Sequence, residues 1–394
     1  MKKILLTLLL ACLTYWSMAQ TKQYTIISAI PHVQDSTFNM TIWNGPQTRA
    51  AQGKIRNGQI YYQDTTSSAL VIRLTLPAKK LFKRSGGGYI PVKSQSIWLI
   101  ATPGSTIQLN GHLSDFAEVY PNGDRENEVL ASLTKIYHPL LNASANIKLR
   151  LNQDSDKMDS LEIKKLQAEQ EQIDAEAKQV MEAFLKKNPS SIAGLYYMND
   201  MLLRNMITVD FVRMLLPEVD KQYKDSPYYT TVVSRVDGNR YQAGHPMLIL
   251  ASPHTFDGVA FSTAQWAGKF YLVDFWGSWC SPCIADFPAV RRLRDTYPDD
   301  LHVLGIALDK EAAWRNAVEY HALDFPQILN GSAELDFVAR LNVTGFPTKI
   351  LVDPNGKIVY RTSGGGEKEF AQMAAIIKKW KDTFQSGSKT KKDL

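Results

Sequence analysis

The stretch Tyr271-Leu-Val-Asp-Phe-Trp-Gly-Ser-Trp-Cys280-Ser-Pro-Cys283 decides the fold of the C-terminal part of this chain. Its first half is an apolar run interrupted only by Asp274, the pattern of a strand covered on both faces. Gly277-Ser278 ends the run. A helix is predicted from Ser281 to about Tyr297, which sets Cys280 at its first turn. Pro282 suits an early helical position, where its missing N–H costs nothing. Thiolate is the reactive form of cysteine. The partial positive charge at a helix N-terminus lowers a thiol pKa from about 8.5 into the range of roughly 3.5–7.5. Two intervening residues let both sulfurs close a small ring, so the pair can shuttle between dithiol and disulfide.

A Cys-x-x-Cys also fits half of a zinc site or a static disulfide. Zinc needs two more Cys or His ligands at a matching spacing. The third cysteine is Cys12, and no His-x(3–5)-His occurs. The reading taken is therefore a redox dithiol, with no metal and no cofactor.

The string Val-Asp-Phe-Trp-x-x-Trp-Cys-x-Pro-Cys closely resembles the signature of the thioredoxin superfamily. It is most similar to the TlpA/ResA-like thiol–disulfide oxidoreductases of the cell envelope. The resemblance runs over 241–383. Gly244-His-Pro-Met-Leu and Phe256-Asp-Gly resemble the entry strands of that branch. Leu301 to Asp309 resembles the next buried strand. Thr344-Gly-Phe-Pro347 followed by Thr-Lys-Ile-Leu-Val resembles its cis-proline loop and hairpin. The resemblance implies a central mixed sheet with helices on both faces and a cis Pro347 against the dithiol. It implies that the backbone of Phe346 pairs with an extended substrate strand, as in β-augmentation. Phe346 is larger than the family's usual residue there and would narrow the groove.

Two acids accompany the cysteines. Asp274 lies in the apolar strand, where burial raises a carboxyl pKa and suits it to proton transfer near neutrality. It matches the buried acid of thioredoxins that assists the inner cysteine. Asp286 lies three residues after Cys283, on the same helix face. It matches an acidic position of the ResA-like branch. A hydrogen-bonded structural acid and a solvated helix residue are the respective alternatives. Pro288 matches a helix-kinking proline of the family. Trp276 is expected in the core. Trp279, beside the outer cysteine, is expected on the substrate surface with Phe346 and Pro347. In the implied mechanism the exposed Cys280 attacks a substrate disulfide, and the shielded Cys283 resolves the mixed disulfide. No basic residue lies between the cysteines, which argues against a very acidic thiol and a strong oxidant.

Residues 1–19 read as an export signal: Lys2 and Lys3, an apolar run from Ile4 to Leu13, and Ser17-Met-Ala19 as a small-x-small cleavage site. The run is too short to span a bilayer. Export to the periplasm follows, and cleavage would leave Cys280 and Cys283 as the only cysteines. Leu9-Leu-Ala-Cys12 partly resembles a lipobox, so a lipoprotein anchored at Cys12 is the alternative, and the one route to membrane contact. Formal net charge is +6, or about +4 without Lys2 and Lys3. Basic residues cluster only in the tail, 385–394, at Lys389-Thr-Lys-Lys392. Nucleic-acid binding has no motif and conflicts with export.

At 394 residues the chain exceeds one thioredoxin domain. Residues 22–118 carry short alternating runs, Thr37–Trp43, Gln59–Tyr62, Leu70–Leu76 and Ile97–Ala101, separated by turns such as Asn44-Gly-Pro and Asn57-Gly. They predict an antiparallel β-sandwich. The stretch Trp98 to Gly111 resembles the end of a β-rich domain of unassigned function found before envelope thioredoxin-like domains. His32 and His112 are expected to be surface or packing residues. Residues 124–235 read as helical. Ile163, Leu166, Gln170, Ile173, Ala177, Val180 and Phe184 form one apolar seam. It fits packing within the chain, with a dimeric coiled coil as the alternative. A second pattern runs from Ile192 to Leu216.

The resulting expectation is an exported reductase of envelope protein disulfides. Its partners are protein thiols and disulfides, and its electrons come from a membrane-embedded donor, because the chain has no second Cys-x-x-Cys. A thiol peroxidase would need a different setting around its cysteine. The remaining rival is an envelope binding protein whose N-terminal region recognises a partner, with redox activity secondary.

Overall fold

The computed structural model describes residues 21–389 apart from 32 and 332–334, with side chains to residue 383. The export signal, Cys12, His32 and the basic tail from residue 390 lie outside the described residues.

The N-terminal part is built on eight strands: β1 Lys22–Ala29, β2 Ser36–Asn44, β3 Gln47–Arg56, β4 Gln59–Thr66, β5 Leu70–Thr75, β8 Ile97–Ala101, β9 Thr106–Leu113 and β10 Ala117–Asn122. A small ribbon, β6 Lys83–Ser85 and β7 Gly88–Ile90, stands apart from them. Asn57 and Gly58 both take positive φ, the backbone a tight two-residue hairpin needs between β3 and β4. The expected two-layer sandwich is not what forms. The strands make one continuous sheet in the order β10-β9-β1-β4-β3-β2-β5-β8, and its end strands β8 and β10 also lie against each other. The β1–β9 pair is parallel; every other pair is antiparallel. That parallel pair seats the last hairpin beside the first strand. The sheet therefore curls around one core that includes Tyr24, Phe38, Ile72, Leu99 and Ile107. The outer face of β5 and β8 is apolar too: Val71, Trp98 and Ile100 face the helices.

Helices α1 Arg125–Asp154 and α2 Ser160–Lys187 form a hairpin, each started by an aspartate cap, Asp124 and Asp159. The α2 seam is the side turned inward: Leu166, Ala177 and Phe184 are buried and the other four half-buried. It packs against α1 of the same chain. The pattern from Ile192 to Leu216 forms two helices, α3 Ile192–Leu203 and α4 Val209–Leu215. Asn205 takes positive φ just past α3 and stops it. Helix α5, Pro227–Gly238, carries the buried Arg235. Its guanidinium donates to Asn199 Oδ1 (2.8 Å) on α3 and to the Val343 carbonyl (3.0 Å), four residues before Pro347.

The C-terminal part is a five-stranded mixed sheet in the order β15-β14-β13-β16-β17. Its strands are β13 Phe270–Trp276, β14 Leu301–Ala307, β15 Gln327–Leu329, β16 Thr348–Val352 and β17 Ile358–Ser363. The first three are mutually parallel, and β16 and β17 are antiparallel additions. Helices α6 Ser281–Thr296, α7 Glu311–Tyr320 and α9 Glu367–Lys389 contribute to the core on one face. Helix α8, Phe337–Arg340, contributes on the other. All of β13 is buried, as its apolar run implies. The entry region departs from expectation. Gly244 to Leu248 forms only an isolated bridge, Pro246 to Lys357. Phe256-Asp-Gly is a turn, between the two-residue strands β11 Ala251–Ser252 and β12 Phe261–Ser262.

Candidate redox site

Cys280 and Cys283 are joined by a disulfide, with the Cα atoms 5.3 Å apart. Helix α6 starts at Ser281 as expected, Cys280 is its N-cap, and the Cys280 Sγ accepts from the Cys283 N–H at 3.3 Å. The outer sulfur is thus already within reach of a helix-terminal N–H, a contact that favours thiolate over thiol. The expectation that Cys280 is exposed fails in this disulfide state: the residue is 4% exposed. It belongs to an apolar cluster against which Phe346 packs.

Loop geometry holds the motif in place. The Ser278 N–H donates to Asp309 Oδ2 at 2.6 Å, and Trp279 Nε1 donates to the Leu308 carbonyl at 2.8 Å. A side chain at Gly277 would run into the Trp279 indole, 2.5 Å from Nε1. Trp276 is fully buried, with Nε1 on Gln327 Oε1 at 3.0 Å. Trp279 is 58% exposed and meets the Phe346 ring edge-on, 5.3 Å between centroids. The Phe346–Pro347 peptide bond is cis. Trp279 and Phe346 therefore lie together above the buried cluster that holds the disulfide.

Both acids are buried, and one residue unexpected from the sequence links them. Asp274 lies opposite Lys349 in the β13–β16 pairing, so both side chains emerge on the α6 face. Lys349 is wholly buried. Its Nζ donates to Asp286 Oδ2 at 2.7 Å and lies 3.3 Å from Asp274 Oδ1. The latter contact lacks hydrogen-bond geometry, and neither Asp274 oxygen has a hydrogen-bonding partner among the described residues. Burial pushes the Asp274 carboxyl above its ordinary range; Lys349 opposes this and Asp286 adds to it. Asp286 is not the solvated helix residue of the alternative reading. Its Oδ1 accepts from the Gly366 N–H at 3.1 Å, and a Cβ at Gly365 would sit 1.9 Å from its Oδ2. Asp286 stands one helical turn after Cys283, on the same face of α6.

A signal for Lys349 was present in the sequence. It is a lone charge at an inward position of the apolar run Thr348–Val352, as anomalous there as Asp274 is in β13. Gly365, Asp309 and Gln327 left no such signal. His112 is on the surface, 3.6 Å from Glu118, as expected.

A cysteine pair at a helix start, beside a cis-proline and over a buried carboxylate on a mixed sheet, defines a thiol–disulfide oxidoreductase of thioredoxin fold. Residues 242–377 match the Redoxin family. The thiol–disulfide oxidoreductase ResA of Bacillus thuringiensis is 27% identical over 125 residues, which span 31% of this chain and 70% of that one. The thioredoxin-like protein YneN of Bacillus subtilis is 31% identical over 108 residues, 26% of this chain and 62% of that one. Among solved structures, the thioredoxin domain of a thiol–disulfide oxidoreductase from Bacteroides vulgatus is 26% identical. It covers 35% of this chain and 97% of that domain, with a TM-score of 0.31. The C-terminal part of the chain is thus similar to the TlpA/ResA-like branch of the thioredoxin superfamily.

Proposed function

We propose that this enzyme is exported and reduces disulfides of envelope proteins. The observation that carries the reading is the Cys280–Cys283 pair at the start of α6, the helix whose Asp286 joins the buried Asp274–Lys349 pair. In the reduced enzyme, the Cys280 thiolate attacks one sulfur of a substrate disulfide. An S–S bond forms to Cys280, the substrate S–S bond breaks, and one substrate thiolate leaves and takes a proton. The Asp274 carboxylate, in its deprotonated form, takes the Cys283 proton, and Cys283 attacks Cys280 Sγ. The second substrate thiolate departs, and the enzyme holds its disulfide. Two electrons have passed from the dithiol to the substrate. A donor dithiol, supplied by a membrane-embedded reductase, returns them by the reverse exchange.

Asp274 is the proton partner and Asp286 supports it through Lys349. Trp279, Phe346 and Pro347 form the groove. The curled sheet of 22–118 and the helices of 124–235 select or position substrate over 241–383. Residues 1–19 are removed on export to the periplasm, or Cys12 anchors the chain. Among the described residues, no helix is long and apolar enough to cross a membrane.

The test is the reduction potential of the pair in the purified protein, equilibrated against glutathione or dithiothreitol. A value near the roughly −270 mV of thioredoxin supports a reductase; one near the roughly −120 mV of DsbA makes it an oxidant and overturns the direction. Insulin reduction must be lost in Cys280→Ser.

A further inference from the structure

A cavity of about 460 Å³ lies far in sequence from the dithiol, between the curled sheet and α3. Its volume is within the roughly 300–1,000 Å³ of small-molecule sites. One wall is aromatic. Trp43 and Trp98 stack at 5.6 Å with 15° between their planes, and Tyr196 meets Trp43 edge-on at 5.9 Å. Tyr89, on the β6–β7 ribbon, adds an exposed ring at the rim.

The other wall is charged, and the charges do not balance. Asp200 is the one acid among the described lining residues. It is already shared: Lys93 Nζ lies 3.2 Å from Oδ1, and Arg204 Nε donates to Oδ2 at 3.0 Å. Burial brings the Lys93 ammonium down to about 8, so it stays mostly charged at neutral pH. Arg73 is a third cation. Its guanidinium lies 5.7 Å over the Trp43 ring, and one terminal nitrogen donates to Thr41 Oγ1 at 3.0 Å. Its Nε–H is buried and finds no acceptor among the described residues. The terminal N–H groups of Arg73 that Thr41 does not take lie at the cavity wall and suit an oxyanion.

We infer that this cavity binds a small organic anion, a carboxylate carried on a flat apolar body, with Arg73 taking the carboxylate and the Trp43–Trp98–Tyr196 wall taking the body. The dithiol plays no part in that binding. The site gives the N-terminal half a ligand-binding role separate from the thiol exchange.

Calorimetric titration of the purified protein with phenylacetate, and separately with neutral phenylacetamide, tests this. Phenylacetate is expected to saturate and to bind at least about tenfold tighter than the amide, the difference made by charge-assisted hydrogen bonds. Arg73→Gln is expected to abolish that preference, while Cys280→Ser leaves it unchanged. Hydrogen exchange on the unmodified protein gives a readout independent of any variant's folding. Phenylacetate should slow exchange in β5, β8 and α3 and leave α6 untouched. Equal affinity for the two probes would overturn the assignment. So would no saturation below about 10 mM, or protection confined to other elements.

Discussion

Lys349 Nζ lies 2.7 Å from Asp286 Oδ2 and 3.3 Å from Asp274 Oδ1, so one buried ammonium on the strand after Pro347 bridges an acid of the active-site helix and an acid of the active-site strand. A wholly buried ammonium is expensive to desolvate and persists only because carboxylate partners compensate it. Removing the cation leaves two acids facing each other without compensation. Lys349→Met is expected to destabilise the protein by about 3–5 kcal/mol at neutral pH, and a second change, Asp286→Leu, to recover part of that loss. Urea unfolding of the three proteins measures both. A loss below about 1 kcal/mol in Lys349→Met would mean that the bridge is not structural.

The raised Asp274 carboxyl makes a signed prediction about pH. Its folded pKa lies above its unfolded value because burial disfavours the carboxylate. The native state therefore holds a proton that the unfolded chain has lost. Stability falls as pH rises from about 4 through the folded pKa. Asp274→Asn carries no such proton. It is expected to be more stable than the wild type above that window and to lose the advantage as pH falls toward about 4. Urea midpoints across the range decide it; parallel curves for the two proteins would show that Asp274 is not titrating there. The same variant should slow the attack of Cys283 and flatten the pH profile of insulin reduction.

Much of this site was legible in the sequence because its chemistry sits at exceptions to local pattern. Asp274 breaks an apolar strand, Cys280 stands where a helix must begin, and Phe346-Pro347 precedes a second apolar strand. The seam of α2 was legible for the same reason, since one helical face repeats regularly. What failed depended on pairing between distant segments. Alternation marks β2, β4 and β5 as strands, but nothing in it says that β1 pairs in parallel with β9, and that pairing turns the expected sandwich into a curled sheet. The burial of Cys280 was illegible likewise, since Phe346 reaches its apolar cluster from 66 residues away in the chain.

Gly365 is predicted to matter through shape alone. A Cβ there would fall 1.9 Å from Asp286 Oδ2, and the Gly366 N–H holds the other oxygen. Gly365→Ala must displace either the carboxylate or the β17–α9 turn. Because Asp286 and Cys283 share a face of α6, the change is expected to alter the pH dependence of thiol exchange as well as stability. Titration of Cys283 reactivity in the reduced variant checks it. A profile identical to that of the wild type would separate Asp286 from the resolving cysteine.

Trp279 is predicted to act on substrate and hardly on the fold. Its ring is 58% exposed, and its principal anchors are the Leu308 carbonyl and the edge of Phe346. Exposed substitutions of this kind change stability by about 0.5 kcal/mol or less. An aromatic pair at a binding surface contributes about 0.5–1.5 kcal/mol beyond its area. Trp279→Ala is therefore expected to raise KM for a disulfide-bonded protein substrate several-fold, with the urea midpoint nearly constant. Glutathione disulfide, too small to span the groove, should be reduced at close to the wild-type rate. Equal losses with both substrates would place the effect of Trp279 on Cys280 itself, and the groove would then have to be sought on the Phe346 side alone.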